Sequence, residues 1–74
     1  MRINIKALPK EKLLHLFDVA ARSKNEVLAG RVVNELADRN HISIEDQIRK
    51  LGQKASDEKN LASFQMASKL WEVV

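Results

Sequence analysis

Residues 2–26 read RINIKALPKEKLLHLFDVAARSKNE, and this stretch governs the predicted fold. Polar and apolar side chains alternate over residues 2–6, which is the period of a half-buried strand. Pro9 follows at a position suited to the first turn of a helix. From Lys10 to Ala21 the apolar side chains then recur at helical spacing. The stretch predicts a short β-strand followed by an amphipathic helix.

The remainder of the chain predicts three further helices. Ser23 and Glu26 form the capping-box pattern, which starts a second helix running to Arg39. Ser43 is placed to cap a third helix, and residues 56–58 open a fourth with acidic side chains in its first turn. No convincing internal repeat is visible. The predicted fold is mostly α, with a short N-terminal strand and four helices in one compact domain.

Composition favours a small cytoplasmic homo-oligomer. A core drawn from 74 residues stabilises a fold by only about 3–5 kcal/mol without a supplement. The chain has no cysteine, and its two histidines lie far apart, which leaves association as the expected supplement. We therefore expect a homodimer or a tetramer, with no metal and no cofactor. No apolar run reaches the length of a membrane span, so we expect no membrane contact.

The sequence offers no catalytic constellation. His15 and His41 lack partners at metal-ligand spacing. The carboxylate pairs are adjacent residues in predicted first turns, where they point in different directions and stabilise the helix dipole. The two glycines are too far apart to form a phosphate-binding loop. We predict that the chain is not an enzyme and that it acts by binding.

The positive charge lies entirely in the first third of the chain. Residues 1–24 contain six basic and two acidic side chains, whereas residues 25–74 contain seven basic and eight acidic ones. Such an asymmetry indicates that the N-terminal part faces a polyanion. A lone strand also needs a partner for its backbone groups, and an antiparallel copy in a symmetric dimer would supply one. The resulting ribbon would be narrow enough to enter the major groove of DNA.

In this order of elements the sequence resembles the ribbon-helix-helix repressors of the Arc and Mnt type. The resemblance rests on Ile3-Asn4-Ile5-Lys6, Leu8-Pro9, and Arg22-Ser23-Lys24-Asn25. It implies a dimerisation and DNA-binding core over residues 1–39, with residues 40–74 as a C-terminal helical extension of the same domain. The resemblance also implies a set of DNA-binding residues. Bases would be read by Arg2, Asn4 and Lys6, and a phosphate would be held by Ser23 and Asn25 with Arg22 nearby.

The fourth helix predicts a second candidate surface. Phe64 and Trp71 are two helical turns apart and so lie on nearly the same face. Together with Leu61 and Leu70 they either pack on their own domain or dimer mate, or bind a partner.

Three functions follow from these patterns. The first is a sequence-specific DNA-binding repressor that reads double-stranded DNA with a β-ribbon. The second is a type II antitoxin with the same N-terminal part and toxin-binding C-terminal helices. The third is an all-helical protein-binding module or inhibitor that binds no DNA.

Overall fold

Four α-helices account for most of residues 4–73, the part of the chain that the structure, a computed structural model, describes. A single turn of 3-10 helix at Ile5–Ala7 precedes them. The α-helices are α1 at Lys10–Arg22, α2 at Glu26–Asn40, α3 at Ile44–Asp57 and α4 at Leu61–Val73.

The predicted N-terminal strand is wrong in the residues that can be checked. Residues 2 and 3 lie outside the described range, but Ile5 and Lys6 belong to the 3-10 turn. The guanidinium of Arg39 on α2 donates to the carbonyl oxygens of Ile5 at 3.3 Å and Lys6 at 3.0 Å. These carbonyls are therefore occupied within the chain and are not presented along an edge to a second strand. The described part of the chain is a helical bundle, and the ribbon-helix-helix architecture is wrong.

All three connections between the helices pass through a left-handed residue, His41 after α2 among them, and two of the connections share a Lys-Asn pair. Lys24 after α1 and Lys59 after α3 both adopt a left-handed backbone, with φ of 57° and 56°. In both turns the amide of the following asparagine, Asn25 or Asn60, donates at 2.8 Å to the carbonyl five residues earlier. This is the Schellman arrangement that satisfies the last carbonyls of a helix. Each Lys-Asn pair therefore ends one helix and starts the next.

The residue that caps α2 differs from the predicted one. The hydroxyl of Ser23 donates to the carbonyl of Val19 at 2.8 Å, so this side chain belongs to the end of α1. The side-chain oxygen of Asn25 accepts from the amide of Leu28 at 3.1 Å and caps α2 instead. The capping box predicted from Ser23 and Glu26 is therefore wrong, because the Schellman turn places Asn25 at the cap position.

Of the predicted starts of the last two helices, one is confirmed and the other is wrong. Ser43 caps α3 as predicted, since its hydroxyl oxygen accepts from the amide of Asp46 at 3.1 Å. The predicted start of the last helix at Ser56 is wrong, because α3 continues through Gly52 to Asp57. A helix tolerates one interior glycine at a cost of about 1 kcal/mol relative to alanine.

The helices form two antiparallel hairpins that share one core. Hairpin 1 is α1 with α2, and hairpin 2 is α3 with α4; α1 also contacts α4, and α2 also contacts α3. The largest fully buried side chains all come from hairpin 1: Leu13, Val32, Val33 and Leu36. Hairpin 2 adds Ile48, Leu51, Met66 and Leu70 to the same cluster. One contiguous core therefore holds both hairpins.

Polar contacts also join the hairpins. The carboxylate of Asp18 on α1 accepts from the Asn60 side-chain amide at 2.6 Å and from the Ser63 hydroxyl at 3.1 Å. At the opposite end of the bundle, the amide of Asn40 donates to the side-chain oxygen of the buried Gln47 at 2.9 Å. These bonds fix how hairpin 2 lies on hairpin 1 and so determine which side of hairpin 2 remains exposed.

Candidate functional site

The last helix is apolar on both of its sides. Only two of the thirteen residues of α4 are charged, Lys69 and Glu72, whereas six of the fourteen residues of α3 are. One side of α4 packs into the core through buried Ser63, Met66 and Leu70. A helix that is apolar all round is normally buried all round. The second side of α4 is therefore a candidate binding surface.

Large apolar side chains occupy this second side. Phe64 is 43% exposed, Trp71 is 45% exposed and Leu61 is 67% exposed. Their spacing places them along one stripe, which Ser68 completes between Phe64 and Trp71. An exposed row containing two aromatic side chains is characteristic of sites that bind another protein.

The neighbouring side of α3 completes a shallow groove beside this stripe. The exposed end of this groove next to Trp71 is a depression of about 320 Å³ that Arg49 and Gly52 also line. The other end, next to Phe64 and Ser56, is a second depression of about 320 Å³. We call this surface the open face. Its residues are Arg49, Gly52 and Ser56 on α3, and Leu61, Phe64, Ser68 and Trp71 on α4.

The sequence folds locally so that α3 and α4 lie close beneath the groove. A Cβ atom at Gly52 would lie 3.5 Å from the Cβ of Ala67, which is an ordinary contact distance. Small residues at this crossing allow the two helices to approach each other and keep the floor of the groove shallow. The guanidinium carbon of Arg49 lies 5.4 Å from the ring centre of Trp71, within the range of a cation–π interaction. This contact orients the tryptophan at the groove's edge.

Charged side chains lie at both ends of the open face. Lys59, in the turn between α3 and α4, borders the depression beside Phe64. Glu72, near the end of α4, borders the depression beside Trp71. Arg49 lines the same depression as Glu72, so a partner meets one positive side chain at the Phe64 end and one side chain of each sign at the Trp71 end.

The predicted DNA-binding residues are divided between two places. Arg22, Ser23 and Asn25 lie together at the turn between the helices of hairpin 1. Lys6 lies instead beside Arg39, near the far end of α2. A helix of this length separates the two places by about 20 Å.

Three members of that predicted set already have partners, and a fourth lies outside the described range. Arg22 forms an ion pair with Asp18 at 3.2 Å, and the Ser23 and Asn25 side chains serve the helix ends described above. Asn4 is exposed and directly precedes the 3-10 turn. Arg2 lies outside the residues that the structure describes.

The predicted partner-binding residues are also divided. Leu61, Phe64 and Trp71 share the open face, whereas Leu70 is only 7% exposed and packs into the core. Reasoning from the sequence missed the α3 side of the groove, above all Arg49 and Gly52. The scarcity of charge around α4 was the available signal, since it indicates that a neighbour is needed on both sides.

A further cleft, with a volume of about 390 Å³, lies between α1 and the α3–α4 turn. Asp18 lines it, and the hydrogen bond from Asn60 is the main cause that holds the pKa of this carboxyl below its ordinary value of 3.8. The Ser63 hydroxyl and the Arg22 guanidinium act in the same direction, while partial burial opposes them. Both carboxylate oxygens of Asp18 bind side chains of the protein itself, so we interpret the cleft as a structural contact between the two hairpins.

Residues 4–73 contain no group of three or more His, Cys, Asp or Glu side chains placed to hold a metal ion. Within the same range, no helix combines the length and apolarity needed to cross a membrane. No protein-family model matches this chain, and the searches found no similar curated protein and no similar solved structure.

Proposed function

We propose that this chain is a protein-binding helical module whose open face receives an apolar helical surface of a partner. The observation that carries the proposal is the row of half-exposed aromatic side chains, Phe64 and Trp71, beside a groove with a glycine floor. Aromatic anchors in shallow pockets supply most of the binding energy in protein interfaces. Helix-in-groove recognition uses apolar side chains at the same helical spacing.

The electrostatic character of the open face supports a protein partner over a nucleic acid. The acidic Glu72 lies beside Arg49, so the positive charge of Lys59 and Arg49 does not run continuously along the face, and Arg49 is turned towards Trp71. A surface that binds nucleic acid needs a contiguous positive field along the phosphate backbone. The open face instead resembles the apolar centre and polar rim of a protein interface.

The structure affects the predicted repressor and antitoxin functions through the β-ribbon that both of them used. Reading DNA with a β-ribbon required a strand that the described residues do not form. DNA binding itself remains a prediction, as does a toxin partner. A protein-binding module requires neither a β-ribbon nor a toxin partner. Its binding surface would be the side of α4 that exposes apolar side chains to solvent.

Site-specific photocross-linking tests the proposal. A photoreactive phenylalanine analogue replaces exposed Gln65, at the rim of the open face, in the cells that naturally contain the protein. The same analogue replaces exposed Asn34 on α2 as the matched control. We expect a polypeptide to cross-link from position 65 and not from position 34. The purified polypeptide should then bind the purified chain at a defined stoichiometry.

Two variants separate specific docking from general stickiness. Trp71→Ala should weaken binding of that polypeptide by roughly 30-fold or more, the loss typical of a central aromatic anchor. Val27→Ala removes an apolar side chain that is 70% exposed on hairpin 1 and should leave binding unchanged. Equal cross-linking from positions 65 and 34, or binding that both variants weaken alike, would contradict the proposal.

A further inference from the structure

The two hairpins share a register that relates each residue of hairpin 2 to one 35 positions earlier in hairpin 1. Lys24 and Lys59 hold the same left-handed position in the turns, and Asn25 and Asn60 hold the same cap position. This shift brings α1 onto α3 and α2 onto α4. The faces of the two hairpins can therefore be compared residue by residue.

In hairpin 1 five of the seven counterparts of the open face are buried; Leu14, the counterpart of Arg49, is half-buried, and Glu26, the counterpart of Leu61, is exposed. The counterparts of Gly52, Ser56, Phe64, Ser68 and Trp71 are, in that order, Phe17, Ala21, Ala29, Val33 and Leu36. None of these five is more than 6% exposed. Phe17 and Leu36 each border a depression that Leu51 of α3 also lines, so hairpin 2 covers this side of hairpin 1. The open face of hairpin 2 is thus equivalent to the side of hairpin 1 that hairpin 2 covers.

The side of hairpin 2 that packs on hairpin 1 lies opposite the open face. The equivalent side of hairpin 1 has a different composition. The buried residues on the covering side of hairpin 2 include Gln47, Leu51, Ser63, Met66 and Leu70. Their counterparts in hairpin 1 are Lys12, Leu16, Leu28, Arg31 and Glu35. Charged side chains thus replace Gln47, Met66 and Leu70 on this side.

The N-terminal segment also lies on that side of hairpin 1. Arg39, which pairs with Glu35 at 2.8 Å, donates to the carbonyls of the 3-10 turn. Ile5 and Leu8 pack against the core beside it. A second copy therefore cannot continue the stack head to tail without displacing this segment and burying charge. Two copies can instead meet through the same surface on each, as in an isologous dimer.

We propose that the occupant of the open face is a second copy of this chain, joined face to face and antiparallel about a two-fold axis. This inference rests on the proposed function and names its partner. In this arrangement Lys59 of one copy lies near Glu72 of the second copy, and the pair occurs twice by symmetry, while Arg49 stays over the Trp71 ring of its own copy. The small side chains at Gly52 and Ser68 let the two faces approach each other near the axis. The apolar stripe from Leu61 to Trp71 is only about 15 Å long, so we expect a dimer of micromolar affinity.

Sedimentation equilibrium of the chain and of its charge-reversal variants tests this arrangement. Lys59→Glu and Glu72→Lys should each weaken the dimer about tenfold, since each places two pairs of like charges in contact. The double variant should restore affinity to within about threefold of the wild type. Val27→Ser is the control and should leave the dimer unchanged. Circular dichroism and thermal unfolding establish that each variant is folded.

Two results would overturn the inference. One is a folded wild-type chain that stays monomeric at millimolar concentration. The other is a double variant no tighter than the weaker single variant, because antiparallel pairing requires the two reversals to compensate. A monomeric chain whose position 65 cross-links to another polypeptide would refute the second copy and leave the proposed function standing. A monomeric chain with no selective cross-link would refute both.

Discussion

Asp18 is the residue that links the two hairpins most directly. Its carboxylate accepts from two side chains at the start of α4, Asn60 and Ser63, and pairs with Arg22 on its own helix. The amino end of a helix also favours a negative charge. Because Asn60 caps α4 at the same time, one asparagine both starts the last helix and holds it against α1.

Replacing Asp18 with asparagine should destabilise the fold in a pH-dependent way. The pKa of Asp18 is lowered in the folded chain, chiefly by the hydrogen bond from Asn60. Its contribution is therefore present above the unfolded-state pKa of about 3.9 and is lost as the pH falls through the folded-state value. We expect Asp18→Asn to lower the free energy of unfolding by about 1–2 kcal/mol at neutral pH. Urea unfolding of both proteins between neutral pH and about pH 3 measures this difference.

The difference between the two proteins should shrink as the pH falls below about 4. Asp57→Asn is a suitable control, since Asp57 is exposed and its carboxylate accepts from Gln53 on the same helix. A difference that is the same at all pH values would show that the charge of Asp18 does not hold the hairpins together.

The turns show which helix-capping residues could be recognised from the sequence and which could not. Ser43 was recognised as a cap because a serine before an amphipathic helix has few other roles. Ser23 was misread because Asn25, two positions later, is an equally good cap, and the sequence pattern alone does not choose between them. The choice depends on Lys24 adopting a left-handed backbone, which lysine does rarely. The Lys-Asn pair recurring at 59–60 was the one visible signal.

At the scale of elements, α4 has two apolar sides with different roles. Leu70 lies on the covered side and is 7% exposed, whereas Leu61 lies on the open face and is 67% exposed. The same substitution at the two positions therefore separates core packing from surface exposure within one helix.

We expect Leu70→Ala to lower the free energy of unfolding by about 2–4 kcal/mol, through lost burial and the cavity left behind. Leu61→Ala should change it by less than about 0.5 kcal/mol, as substitutions on an exposed surface usually do. Chemical denaturation at a concentration low enough to keep the chain monomeric measures both values. A comparable loss at both positions would mean that Leu61 packs within the chain, and the open face would then be smaller than described.

The helices themselves were largely predictable, because amphipathic spacing and capping residues mark them locally. The N-terminal strand was not, because alternation over five residues is a weak pattern that a distant side chain can override. Here Arg39, more than 30 residues away, binds the carbonyls of Ile5 and Lys6. The α3 half of the groove depends on how α3 and α4 cross at Gly52, and tertiary packing of this kind leaves no local signal.

At the scale of the whole molecule, the two hairpins are stacked, and the outer side of hairpin 1 differs from the outer side of hairpin 2. One end is closed by the N-terminal segment and by charged side chains on hairpin 1, and the other end is the open face of hairpin 2. A stack with one closed and one open end favours a limited assembly over a filament. The proposed dimer would also add buried surface to the core that one copy forms alone.

Trp71, the only tryptophan in the chain, reports directly on whether the open face is covered. Acrylamide quenching of its fluorescence should be measured as the chain concentration rises from about 1 µM to about 1 mM, a range that brackets the expected dimer affinity. We expect quenching to fall several-fold and the emission to shift to shorter wavelength as the second copy excludes water from the ring. Val27→Ser should behave like the wild type. Quenching and emission that stay constant over the whole range would show that the open face remains exposed and would contradict its self-association.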